Sequence, residues 1–183
     1  MKNKFTVALA LFLCVCTLLC SCAEDVSALE NLCFAVRGFE LEEAAKYVYD
    51  GEGYFAGVLS LAGELSGEKA ELAKLIYSKM EFSGFEEDGG VCTFTVKYVD
   101  FSALIAAVNV DASAGASATE SLRGIVESGR LQKQFMKTKN SVKVTLRKDE
   151  GGALVPLGYA GENAELTGIL GLDTFLRWYS LQR

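Results

Sequence analysis

No histidine occurs among the 183 residues. The commonest general base and the commonest transition-metal ligand are therefore both missing, and the serines have no imidazole to activate them. Cysteine does not fill the gap. Of six, Cys14, Cys16, Cys20 and Cys22 crowd the first 22 residues, and no pair has the spacing of a metal site. Cationic side chains are also scarce: 18 Lys and Arg stand against 24 Asp and Glu, a formal charge of −6. That balance argues against a nucleic-acid partner, since phosphate binding needs clustered Lys and Arg. The glycines at 51, 53, 57, 63, 151 and 152 are not followed by the Lys-Ser/Thr of a phosphate-cradling loop. Proline and tryptophan each occur once, as Pro156 and Trp178. These absences weigh against an enzyme, imply neither cofactor nor metal, and leave binding or interaction as the chemistry to look for.

The one long apolar run is at the start. Lys2 and Lys4 give a basic end, and across residues 5–20 the only clearly polar side chains are Thr6 and Thr17. A basic end, an apolar stretch and small residues at its close make an export signal. The run ends in Leu19-Cys20-Ser21-Cys22, which resembles the lipobox of bacterial lipoproteins. The resemblance implies a diacylglyceryl group on the Cys22 thiol, cleavage just before it, residues 1–21 as signal peptide, and residues 22–183 tethered to the outer face of the cytoplasmic membrane. Each buried CH₂ contributes about 0.8 kcal/mol, so two or more acyl chains hold stably where one does not. Two other readings stay open. A conventional peptidase could cut after Ala23 and release the product, or the segment could remain as an anchor, although it is shorter than the ~20 apolar residues of a spanning helix.

Residues 22–183 suit one domain of ordinary size. They hold sixteen basic and twenty-four acidic residues, a formal −8, so the lipid and not the protein's charge would have to hold the membrane. Cys33 and Cys92 remain in this part, either bridged by a disulfide or as small buried thiols.

The apolar periodicity predicts helices over residues 24–36, 40–49 and 68–78, with a short Gly-interrupted helix over 54–63. Met80, Phe82 and Phe85 lead to Glu86-Glu87-Asp88-Gly89-Gly90. The following residues 91–99 alternate, with Cys92, Phe94, Val96 and Tyr98 on one face, which reads as an antiparallel hairpin. Asp100 stands where an N-cap would, before a helix carrying Phe101, Leu104, Ile105 and Val108. The acids at 86–88 and 100 are accounted for by turn and cap chemistry. Small residues at 110–119 predict a loop, and helix resumes from about 119 to 137. Val142, Val144 and Leu146 alternate into a second hairpin closed by Asp149-Glu150-Gly151-Gly152, with Pro156 assigning its last strand to an edge or a bulge. A terminal helix over 162–182 is broken near Gly171.

Helices first, a Gly38-Phe39 break, the hairpin through residues 80–99, the passage into Asp100-Phe101, and a strand ending in Lys148-Asp149-Glu150-Gly151 together resemble small exported lipoproteins of Gram-positive bacteria. That family has a nuclear-transport-factor-2-like, or cystatin-like, α+β fold. The resemblance implies helices packed on a strongly curved antiparallel sheet, a cone whose inside can be a pocket. Phe82, Phe94, Val96, Tyr98 and Phe101 are then either pocket-lining residues for a small apolar ligand or simply core. An envelope-interaction module would instead have a filled core and an apolar patch outside, for which the Trp178-Tyr179 tail is the candidate.

Overall fold

The structure is a computed structural model that describes residues 26–51 and 53–182. Cys22 and the leader lie outside the described residues. Helix α1 (residues 26–38) buries Leu29, Leu32, Cys33 and Val36 completely. It ends as the Gly38-Phe39 break predicts, but the left-handed residue is Phe39 (φ 57°), whose ring packs on Tyr77 with centroids 5.4 Å apart. The Glu40 amide then donates back to the Ala35 carbonyl at 2.8 Å, which satisfies a last-turn acceptor of the helix.

The helix predicted over 40–49 is much shorter. Only α2 (Leu41–Ala44) and a tight turn over Ala45–Tyr47 form before the chain enters strand β1 (Val48–Tyr49). Two forces end it. Val48 is a β-branched residue that finds a strand partner more than a hundred residues away, at Val155. Asp50 then turns its carboxylate onto the amides of Phe55 and Ala56, both at 2.9 Å, capping the next helix. That helix, α3 (Tyr54–Gly63), is followed by α4 (Glu68–Tyr77), which buries Leu72, Ala73, Ile76 and Tyr77.

Strands β2 (Glu81–Asp88) and β3 (Val91–Val99) form the predicted hairpin. Gly89 and Gly90 have φ of 61° and 84°, the paired left-handed conformation that a two-residue hairpin turn demands. Cys92, Phe94 and Val96 face inward as expected, but Tyr98 is only partly buried and Val99 turns in instead. Asp100 caps helix α5 (Phe101–Ser113), accepting from the Ala103 amide at 3.1 Å, and also pairs with Lys137 at 2.5 Å. Helix α5 runs through part of the predicted loop. Helix α6 (Ala118–Glu127) starts on a reciprocal Ser117–Glu120 capping box and stops at Glu127, ten residues before the predicted end. A wide helical turn over Leu131–Phe135 follows.

Strand β4 (Met136–Thr145) begins six residues earlier than its hydrophobic alternation predicts. Residues 137–141 are exposed and polar on both sides, so they carry no buried face for the sequence to announce. Leu146 separates β4 from β5 (Arg147–Asp149), which turns into β6 (Gly152–Pro156). Helices α7 (Ala164–Leu170) and α8 (Leu172–Ser180) close the chain, with the predicted break at Gly171.

The architecture is α+β, but the strands form two three-stranded sheets, ordered β2-β3-β4 and β1-β6-β5. Neither is strongly curved, so the cone expected from the resemblance is not formed. After Thr145 the chain leaves β4, and its next two strands build a second sheet, with β6 pairing with both β1 and β5, instead of widening the first sheet. Strand β6 is therefore central and not an edge. Pro156 is tolerated because it is the last residue of that strand.

One hydrophobic core runs from Leu29 to Tyr179. Its densest part is aromatic. Phe101 lies 5.1 Å from both Tyr77 and Phe175, and Phe175 lies 5.4 Å from Tyr179. Gly171 (φ 58°) passes so close to this cluster that a Cβ there would collide with the Phe101 ring. Gly171→Ala should cost about 2–4 kcal/mol in denaturant unfolding, from the left-handed backbone plus the clash. Gly124→Ala, exposed inside α6 with open space around it, should instead stabilise by about 0.5–1 kcal/mol.

The hydrogen bond from Lys137 holds the Asp100 carboxyl below its ordinary range, with the Ala103 and Ser102 amides adding to the effect against partial burial. A lowered carboxylate pKa contributes stability above the unfolded-state value, and that contribution disappears as pH falls through the folded-state value. Asp100→Asn should therefore be less stable than wild type at neutral pH. Unfolding curves of the two proteins should converge as the pH is lowered through and below the ordinary Asp range, whereas a pH-independent gap would contradict the assignment.

Candidate functional site

The residues expected to line a cone divide into two groups. Phe82, Phe94 and Val96 are buried under the β2–β3 hairpin, where Phe85 stacks on Phe94 with centroids 5.3 Å apart and rings 12° from parallel. Phe101 belongs to the separate cluster with Tyr77 and Phe175, and Tyr98 sits at the margin beside Lys137 in register. Cys33 and Cys92 are both buried and carried as thiols. Burial, with Glu30 adding, pushes the Cys33 thiol far up, so it is an inert core sulfur. The Trp178-Tyr179 tail does not form an outer patch. Tyr179 is fully buried, and the Trp178 indole N–H donates to Asn109 at 3.2 Å. Among the described residues no group of three or more His, Cys, Asp or Glu is placed to hold a metal. No described helix is long and apolar enough to cross a membrane.

A cleft of about 250 Å³ opens instead at the end of the second sheet. Tyr49 ends β1, Arg147 begins β5, Pro156 ends β6, and the loop over residues 157–163 forms the opposite wall. The parallel β1–β6 pairing puts Tyr49 opposite Pro156, and the antiparallel β5–β6 pairing puts Arg147 opposite Leu154. Three distant stretches meet because one central strand holds the other two.

The Arg147 guanidinium lies over the Tyr49 ring, 4.6 Å from its centroid. The ring can lie there because residue 51 is glycine: a Cβ at Gly51 would come within 2.8 Å of the Tyr49 ring edge. Stacking on an aromatic face orients the planar guanidinium and leaves its edge donors available. Glu162 approaches Arg147 at 3.9 Å, within reach of an ion pair but beyond a direct N–H···O hydrogen bond.

Asn163 builds the loop. It is almost fully buried, and its Oδ1 accepts from the Thr145 amide at 2.9 Å. Its Nδ2 donates to the carbonyls of Thr145 at 2.8 Å and Pro156 at 3.0 Å. The Thr167 hydroxyl adds a second tie, accepting from the Gly158 amide at 3.1 Å and donating to the Asn163 carbonyl at 3.2 Å. Tyr159 completes the support by setting its edge on Tyr54 with centroids 5.2 Å apart.

Among the described residues, those that line this cleft include no serine, cysteine or lysine to act as a nucleophile, and only one carboxylate. The arrangement suits binding better than covalent or paired acid–base chemistry. Sequence reasoning missed it for a clear reason. Tyr49 sits in a stretch with helical periodicity, Arg147 reads as an outward strand residue, and Asn163 belongs to no motif. Only the pairing of β1 and β5 with β6, and the Asn163 bond to its last residue, bring them together. Comparison of the chain with protein-family models, with curated proteins and with solved structures gives no match.

Replacing Asn163 by Ala removes the side-chain partner of the Thr145 amide and of two part-buried carbonyls. Destabilisation of about 2–3 kcal/mol is expected in urea unfolding. Asn163→Asp, which cannot donate to those two carbonyls, should not rescue it.

Proposed function

We propose that this chain is an exported bacterial lipoprotein, anchored through Cys22 to the outer face of the cytoplasmic membrane, whose α+β domain binds a ligand without transforming it. The observation that carries the anchor is the sequence Leu19-Cys20-Ser21-Cys22 at the close of an apolar run that follows Lys2 and Lys4. The fold is compatible with such a tether. Helix is already formed at residue 26, and Ala28 and Leu29 are buried, so only a few residues separate the acylated position from the packed domain. At ~3.3–3.6 Å per extended residue the link is short, and the domain would ride close to the headgroups.

The binding role rests on the Tyr49–Arg147–Glu162 cleft, where a fixed loop, an oriented cation and an aromatic wall surround a small volume. Ligand sites are concave and mostly preformed, with few placed polar groups. An envelope module that recognises another protein through its surface is the alternative, and the inward-packed tail gives it less support.

Mass spectrometry of the mature protein from a Gram-positive host tests the anchor. A first peptide beginning at diacylglyceryl-Cys22 is expected, with Cys22→Ser failing to be processed at that site. A first residue of Glu24 or Met1 would overturn the reading.

A further inference from the structure

We propose that the cleft takes a small α-amino acid as its zwitterion, with the ligand carboxylate on Arg147 and its ammonium on Glu162; this rests on the binding-module reading above. Arg147 has five N–H donors and sits over the Tyr49 ring. Its contact with Glu162 at 3.9 Å uses none of them in a direct hydrogen bond. The guanidinium edge is thus free for the paired N–H···O bonds that a carboxylate accepts.

Glu162 then decides between ligand classes. A simple anion seated on Arg147 would lie within a few ångströms of a second carboxylate and be repelled by it. A simple cation on Glu162 would meet the same objection from Arg147. A ligand carrying both charges satisfies both residues.

The spacing narrows the class further. Because the Glu162 carboxylate comes within 3.9 Å of Arg147 Nε, a ligand with both charges on one carbon can meet the two groups at once without bending. A γ-amino acid or a peptide would have to fold back on itself, at an entropic cost, to do the same. The volume of about 250 Å³ lies below the range of about 300–1,000 Å³ usual for drug-sized ligands, which suits a single amino acid better than a larger molecule. Pro156, Leu157 and Ala160 supply apolar wall for the amino acid's side chain.

Calorimetric titration of the mature protein, as purified from its bacterial host, tests this with alanine, propionate, ethylamine and γ-aminobutyrate. Alanine should bind at least about tenfold more tightly than any of the other three. Arg147→Gln should weaken alanine by about tenfold or more. Glu162→Gln should erase the preference for alanine over propionate. Both side chains are about half exposed, so the variants should fold, and melting curves check that they do. Propionate binding as tightly as alanine would overturn the zwitterion assignment while leaving a binding cleft. No heat with any of the four at millimolar concentration would overturn the ligand class altogether. Neither outcome touches the anchor, which is read separately from the N-terminal peptide.

Discussion

The side chain of Asn163 is the joint on which the arrangement depends. One carboxamide closes both backbone groups of Thr145, at the end of the first sheet, and the carbonyl of Pro156, at the end of the central strand of the second. Backbone groups partly shielded from water need partners, and where two sheets end side by side neither supplies them to the other through a ladder. A planar group with two donors and an acceptor fits that gap, whereas a carboxylate would offer acceptors only. The same residue leads into α7, so the loop that it fixes is held at both ends.

From that joint the rest follows in order. Strand β6 is held centrally, β1 and β5 pair on either side, and Tyr49 and Arg147 come to the same end of the sheet. On the other side of the joint, α7 passes into α8 through Gly171. That tight crossing lets α8 lie against Phe101 and Tyr77. The aromatic core and the cleft are therefore mechanically connected through a nine-residue stretch, although they are chemically unlike: one is dry and filled, the other polar and open.

How far the sequence announced this depends on what kind of force set each element. Where a face is buried, the pattern is plain. Leu29, Leu32, Cys33 and Val36 mark α1, Cys92, Phe94 and Val96 mark β3, and Asp100 and Gly171 act as the cap and the break that their positions suggest. Where the force is long-range pairing of polar or short segments, the pattern is silent. Residues 137–141 form a strand while exposed on both faces, and Val48-Tyr49 abandon a helical period to pair with Val155-Pro156. The curved sheet failed for the same reason, since nothing local says that the chain leaves one sheet at Leu146 and starts another. The cleft inherits that silence because each of its three charged or aromatic residues looks ordinary in its own neighbourhood.

The central claim is that the joint and its loop are part of the cooperative core, so that the cleft stands ready before any ligand arrives. Native-state hydrogen exchange reads this at two amides: Thr145, which donates to Asn163, and Gly158, which donates to Thr167. The account predicts that both exchange only through global unfolding, with protection within about tenfold of the slowest β3 amides. If Thr145 and Gly158 exchange orders of magnitude faster while β3 stays protected, the joint opens on its own and the account is contradicted.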